Sequence, residues 1–178
     1  AVHLAADAFS AIATPIIDFG KEAVLAAARV SELEVVNRIL AENAGIPILA
    51  VEQEVAAVRA MGIEAGIANS VIASFIDANL DMAFASDIAR IAQDAAVISG
   101  MNSSETLANI VYGIETLNPL VLRHAGIVVD LQLAYQEWAE ENGRTTESMT
   151  TFEKQQVALA EVLEAGVDIA GAYAAAME

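Results

Sequence analysis

Glycine followed directly by isoleucine occurs five times in this 178-residue chain, and three of these pairs, at positions 45–46, 62–63 and 126–127, have the pattern of a helix end. Each pair follows a run in which apolar residues recur every three or four positions, which is the period of an amphipathic helix. Glycine readily takes the left-handed conformation that ends a helix, and the next apolar residue packs back on the last turn as a Schellman motif. The pattern therefore predicts several separate helices.

Helix starts are marked as clearly as helix ends. Thr14 precedes Pro15, a capping residue followed by proline at the first helical position. Ser103 can cap a further helix, and Thr150 with Glu153 forms a capping box for the last one. These signals predict nine helices, near residues 2–12, 15–43, 47–61, 65–80, 84–99, 104–117, 119–125, 130–142 and 151–176.

The composition also favours helix throughout, with three prolines and 5 % aromatic residues. Apolar residues make up 56 % of the chain, and alanine supplies much of that share, so helices can approach each other closely. We therefore predict an all-α fold, a multi-helix bundle of short and medium helices with no sheet, in a single domain over residues 1–178. Gly166 is expected to kink or split the last helix.

The charge balance is strongly acidic, with 8 Lys and Arg against 25 Asp and Glu, a net charge of −17. This balance argues against binding to nucleic acid, where affinity comes largely from cations on phosphates, and against anionic lipid surfaces. It is explained equally well by the solubility of an alanine-rich surface. The chain has no cysteine, which excludes disulfides and thiolate metal sites, and no apolar run long enough for a transmembrane helix.

Three sets of residues resemble parts of known sites, but none has the complete pattern. We therefore predict no catalytic, cofactor or metal site. The segment 77–81 begins like a calcium loop, but the glycine and the final glutamate are replaced by Met82 and Ile88, so its acids are better explained as helix caps. His3 and His124 lack the spacing of metal ligands, and His124 fits a cation at a helix C-terminus.

The acids Glu161, Glu164 and Asp168 share one helical face, as a pair for glycoside cleavage could. Such chemistry needs one acid in an apolar pocket beside a sugar-binding cleft, and this stripe has the pattern of a solvated face. We therefore predict a protein that is not an enzyme.

The helix predicted at 15–43 carries apolar residues at heptad spacing, with Asn37 on the same seam and Glu34 and Arg38 spaced to form an ion pair. A buried Asn37 could fix the register or the oligomer number of a coiled coil, or it could bond to a neighbouring loop in a monomeric bundle. We favour the second because this helix is apolar on several sides. A second stripe, formed by Leu131, Ala134, Tyr135 and Trp138, is predicted to be core rather than a docking face.

Five stretches carry a resemblance to a known family, in the same order along the chain. They are LAENAGI at 40–46, ARIAQDAAVISG at 89–100, LANIVYGI at 107–114, LRHAGI at 122–127 and VLEAGVDIAGAY at 162–173. Together they resemble the central helical region of tail tape measure proteins from long-tailed bacteriophages and prophages. The resemblance is strongest between residues 84 and 177 and looser before residue 30. These are signatures of a lineage and imply no catalytic role.

The resemblance implies a structural virion protein that sets tail length during assembly and occupies the tail lumen, after assembly in the bacterial cytoplasm. It implies the tail tube protein, tail assembly chaperones and tail tip proteins as partners, with self-association as a further option. Both ends of the chain have helical composition, so we expect a segment of a much longer polypeptide rather than a complete protein with a processed N-terminus.

Two other classes of function stay open on the sequence. One is an acidic all-helical module that binds other proteins. The other is a membrane-active segment that assists DNA delivery, which the family is thought to perform and which the charge of −17 opposes.

Overall fold

The computed structural model describes residues 24–177. Within that range it contains nine α-helices and two short 3-10 turns and no strand, which confirms the all-α, multi-helix prediction. The helices are α1 (24–44), α2 (Ile48–Ala60), α3 (Ala65–Asp77), α4 (Ala85–Ser99), α5 (Ser103–Glu115), α6 (Pro119–His124), α7 (Leu131–Glu141), α8 (Thr151–Asp168) and α9 (Ala172–Ala176). The predictions for helix 2–12, Thr14, Pro15 and His3 lie outside the described residues.

Helix α4 is the centre of the bundle, because α2, α3, α5, α8 and α9 all contact it. Five of its residues are completely buried, namely Ala85, Ile88, Ala89, Ala92 and Ala95. Alanine leaves little side chain between two helices, so several helices can pack closely around one axis. The buried alanines of α4 thus lie where the helices pack most closely.

Two of the three predicted Gly–Ile stops are Schellman motifs in full. Gly45 has φ +69°, and the N–H of Ile46 donates to the carbonyl of Ala41 at 2.8 Å. Gly126 has φ +88°, and the N–H of Ile127 donates to the carbonyl of Leu122 at 2.9 Å. Gly62 also takes a positive φ of +75° after α2. The helix ends predicted from these pairs are confirmed.

Two predicted boundaries were wrong. Helix α3 ends at Asp77 rather than near residue 80, because Asn79 takes the left-handed conformation with φ +54° and Leu80 donates back to the carbonyl of Phe75. Asparagine can replace glycine in this role. Asn102, not Ser103, caps α5: its side chain accepts from the N–H of Glu105 at 2.8 Å. The predicted capping box at the start of α8 is confirmed.

The last predicted helix, 151–176, is in fact two helices, and the break is not at Gly166. Helix α8 runs through Gly166 to Asp168, and the chain then turns at Gly171, which has φ +89°, before α9. Gly166 is buried and packs against Ile91 of α4. The split was predicted correctly, but it was assigned to the wrong glycine.

The stripe on α7 is core, as predicted. Leu131, Ala134 and Tyr135 are buried and Trp138 is half-buried, with the guanidinium of Arg144 lying 5.5 Å from the centre of its ring. Burial raises the pKa of the Tyr135 phenol above its ordinary value. Helices α7 and α8, together with the loop that joins them, therefore cover this end of the bundle.

Candidate functional site

Three of the stretches that carry the resemblance, 107–114, 122–127 and 162–173, pack on α4, which contains a fourth. A Cβ atom added at Gly166 would lie 2.3 Å from Cδ1 of Ile91, and one added at Gly126 would lie 2.9 Å from the carbonyl oxygen of Ala95. Cβ atoms do not come this close to another atom, so each glycine lets its segment touch α4 directly. At Gly126 the neighbour is backbone, whereas at Gly166 the end of the Ile91 side chain would have to move. The segments 122–127 and 162–173 therefore pack on the segment 89–100.

A third glycine acts in the same way next to this centre. A Cβ atom at Gly113 in α5 would lie 2.7 Å from Cδ2 of Leu122 in α6. Leu122 is completely buried, so it has little room to move away. Glycines 113, 126 and 166 are thus close-contact points between segments that are distant in sequence, a role that the sequence signatures alone did not reveal.

Two polar side chains of α4 tie further segments to it. Asp94 is 6 % exposed, and its Oδ1 accepts a hydrogen bond of 2.8 Å from the backbone N–H of Tyr173 in α9. Gln93 donates from Nε2 to the carbonyl of Met61, at the end of α2, at 2.7 Å. Asp94 thereby supplies one of the hydrogen-bond acceptors that the first turn of α9 lacks. These residues hold the architecture together, and no substrate is needed to explain them.

Asn37 is buried at 2 % exposure and joins α1 to α3. Its Nδ2 donates to the side-chain oxygen of Asn69 at 3.0 Å and to the backbone oxygen of the same residue at 3.1 Å. The bond lies within the bundle, as we favoured, but the predicted loop partner was wrong, because Asn69 lies in helix α3. Oδ1 of Asn37 is buried and accepts no hydrogen bond from the described residues.

A groove of about 290 Å³ opens beside this asparagine pair, between α1 and α2. Val51 forms part of its floor, while charged residues of both helices line its sides. These charged residues are Glu34, Arg38, Glu52 and Arg59. The predicted ion pair between Glu34 and Arg38 is not formed; the ion pairs among residues 24–177 are Arg90 with Asp87 and Arg144 with Glu153.

The acidic stripe of α8 contains one carboxyl with a perturbed pKa. Partial burial raises the pKa of Glu161 above its ordinary value, and the neighbouring charges of Glu164, Glu137 and Asp130 raise it further. Glu164 and Asp168 are exposed. The stripe therefore faces solvent, with Glu161 at its more crowded edge beside α7.

The remaining candidate residues have local structural roles. Asp81 caps the 3-10 turn that precedes α4 by accepting from the N–H of Ala83, as the interpretation as a helix cap predicted. Asp77 is instead the last residue of α3 and lines an open cleft with Glu115 and Phe152. His124 is exposed in the last turn of α6, where a cation was predicted to favour the helix C-terminus. Within residues 24–177, no three His, Asp or Glu side chains are grouped as metal ligands.

Comparison of the chain with protein-family models, with curated protein sequences and with solved structures produced no match. In the part of the chain that the structure describes, no helix is both long enough and apolar enough to span a membrane.

Proposed function

We propose that this chain is a structural segment of a bacteriophage or prophage tail tape measure protein, which contributes length to the ruler that sets tail size. The observation that carries the proposal is the resemblance of five stretches to that family, in order, between residues 40 and 173. The partners proposed with it are the tube protein, the tail assembly chaperones and the tail tip, and the proposed location is the tail lumen.

The packing of these stretches supports treating them as one unit. Residues 89–100, 122–127 and 162–173 meet through Gly126 and Gly166, where any larger side chain would collide with α4. Segments that depend on each other in this way are expected to keep their order and spacing together. That expectation fits a signature spread along the chain better than it fits a small set of clustered catalytic residues.

The relevant quantity for a ruler protein is its contour length, and the folded bundle is much shorter than the contour length of residues 24–177. The longest of the described helices, α1, has 21 residues and is about 32 Å long at 1.5 Å per residue. Residues 24–177 drawn out as one helix would reach about 230 Å. The segment must therefore open from its bundle if it is to contribute its full length inside a tail.

Changes in chain length test the proposal directly. In the phage or prophage that encodes this chain, residues 24–177 would be deleted in frame in one strain and duplicated in tandem in another, and tails would be measured by electron microscopy. We expect the deletion to shorten tails and the duplication to lengthen them by about 230 Å if the segment is helical and extended, or by about 32 Å if it stays folded.

The matched control is Gly126→Ala, which disturbs the packing on Ala95 and leaves the number of residues unchanged. Tails of this control strain should keep the original length, because the ruler depends on contour rather than on the bundle. Assembled tails of unchanged length in both the deletion and the duplication strains would contradict the tape measure proposal.

A second candidate is a protein-binding module, and the surface of α1 favours it. Five large apolar side chains of this helix are at least 42 % exposed. They are Val24, Leu25, Val35, Val36 and Ile39. Under this alternative the tail experiments would show no change, whereas substitution of these residues would abolish binding to a partner.

A further inference from the structure

Helix α1 presents apolar residues on the side opposite to the one that contacts the bundle. Its packed side carries Asn37 and Ala41, which are buried. At 100° per residue, Val24, Val35 and Ile39 project within about 60° of each other and away from Asn37. Their exposed fractions are 69 %, 51 % and 53 %. We call the side formed by Val24, Ala28, Val35 and Ile39 the outward face of α1.

The spacing of this face is suited to another helix. Positions 24, 28, 31 and 35 are separated by four, three and four residues, close to the repeat of 3.5 that keeps one seam facing a partner helix, and Ile39 follows one turn later. Ala28 and Ser31 are small and exposed at its middle, so the axis of a second helix can come near. The face therefore fits a helix better than a flat surface.

The charges along one edge of the face are self-complementary. Arg29 and Glu32 are exposed and lie on the same edge, one turn apart. When two copies of a helix pack antiparallel, the same edges meet. Arg29 of each copy then lies opposite Glu32 of the other, which forms two symmetric ion pairs. A C2 interface of this kind needs a surface that complements itself, and this one does.

The distribution of net charge also favours contact through this part of the molecule. Residues 24–63 contain three arginines and five glutamates, a net charge of −2. Residues 64–177 contain four Lys or Arg and 16 Asp or Glu, a net charge of −12. Two copies that meet through α1 bring together their least acidic parts. Their acidic bundles lie on the packed sides of the two helices and therefore point away from each other.

We propose that the outward face of α1 is a self-association surface, on which a second copy of this chain docks its own α1 in antiparallel orientation. Because a single pair of helices buries less than a typical stable interface, the dimer should be weak, with a dissociation constant of about 10–100 µM. The proposal depends on α1 alone, so it would survive a failure of the tail-length experiment.

Sedimentation equilibrium of the whole chain, between 5 and 500 µM at about 0.15 M salt, tests the proposal. The weight-average mass should rise from that of a monomer to that of a dimer. Val35→Glu should remove the rise by placing a charge in the seam. Leu133→Glu is the matched control, because Leu133 is also 51 % exposed but lies on α7 and should leave dimerisation unchanged.

The charge pair gives a second test, in which the double variant keeps the net charge of the chain. Arg29→Glu and Glu32→Arg should each weaken the dimer by about fivefold through like-charge contacts, and the double variant should recover the original affinity. Failure of the double variant to recover would overturn the antiparallel arrangement.

Two results would overturn the proposal as a whole. One is a monomer at every concentration, with Val35→Glu lowering the melting temperature, which would mean that residues of the same chain cover the face. The other is a dimer that persists in Val35→Glu and is lost in Leu133→Glu, which would place the interface on α7.

Discussion

Helices α1 and α4 have similar apolar sequences and opposite environments. Helix α4 buries eight of its 15 residues, while α1 buries two of the 21 that are described. Both contain runs of alanine with isoleucine or valine, so apolar content does not distinguish them. The difference is in what surrounds them: segments with glycines at the contact points pack on α4. Burial in this fold depends on complementary partners as much as on hydrophobicity.

The comparison extends to charge. The acidic residues concentrate in the part of the chain that packs well, after residue 63, where they cover the outside of a closed core. The part with the exposed apolar face is nearly neutral. A surface that is apolar and weakly charged is suited to association, and one that is densely acidic is suited to staying apart.

Truncation of isoleucine in each region should give the largest contrast. Ile88→Ala in α4 removes a completely buried side chain and should lower the free energy of unfolding by about 2–5 kcal/mol. Ile39→Ala in α1, where the side chain is 53 % exposed, should change it by no more than about 0.5 kcal/mol. Urea unfolding of dilute protein measures both, and equal losses would remove the distinction between the two regions.

Glycine substitutions should separate backbone strain from close packing. Gly126→Ala combines a positive φ with a collision against the backbone of Ala95, and should cost about 2–4 kcal/mol. Gly45→Ala has a similar φ, with nothing within 4 Å of the new Cβ, and should cost about 1 kcal/mol. Thermal unfolding of the two variants gives the comparison. A cost at Gly45 as large as that at Gly126 would show that strain alone accounts for both.

The hydrogen bond from Tyr173 to Asp94 should control the docking of α9. Asp94→Ala leaves the backbone N–H of Tyr173 without its acceptor and should cost about 1–2 kcal/mol. Hydrogen exchange should then increase in residues 172–176 and much less in α1. Asp94→Asn keeps an oxygen at the same place and should restore most of the protection. If it restores none, the charge of Asp94, rather than its acceptor atom, holds the helix.

The smallest expected effect concerns Glu161. Because burial and nearby carboxylates raise its pKa in the folded state, the charged form disfavours folding. Stability should therefore fall as pH rises through the folded pKa, and protonation should restore it at lower pH. Glu161→Gln should stabilise the protein by up to about 0.5 kcal/mol at neutral pH. The gain should disappear below the ordinary glutamate pKa of 4.5, and a gain that persists at acid pH would contradict this electrostatic origin.

The sequence was sufficient for the fold class and for most helix boundaries, because capping residues and glycine stops act within a few positions. It was not sufficient where a residue type has more than one structural role. Gly166 could be a helix breaker by its residue type, but it lies inside α8 and packs against Ile91. Asn79 ends α3 in the left-handed conformation that glycine usually adopts. Contacts such as that of Asp94 with Tyr173, 79 positions apart, leave no local signal.

Hydrogen exchange measured at about 5 µM and at about 500 µM, on either side of the dissociation constant expected for a weak helix pair, tests the contrast between α1 and α4 most directly. We predict strong protection of α4 at both concentrations, and protection of residues 24–44 that is weak in dilute solution and rises with concentration. Protection of α1 as strong as that of α4 in dilute solution would contradict the account, because it would show that α1 is already packed without a second copy.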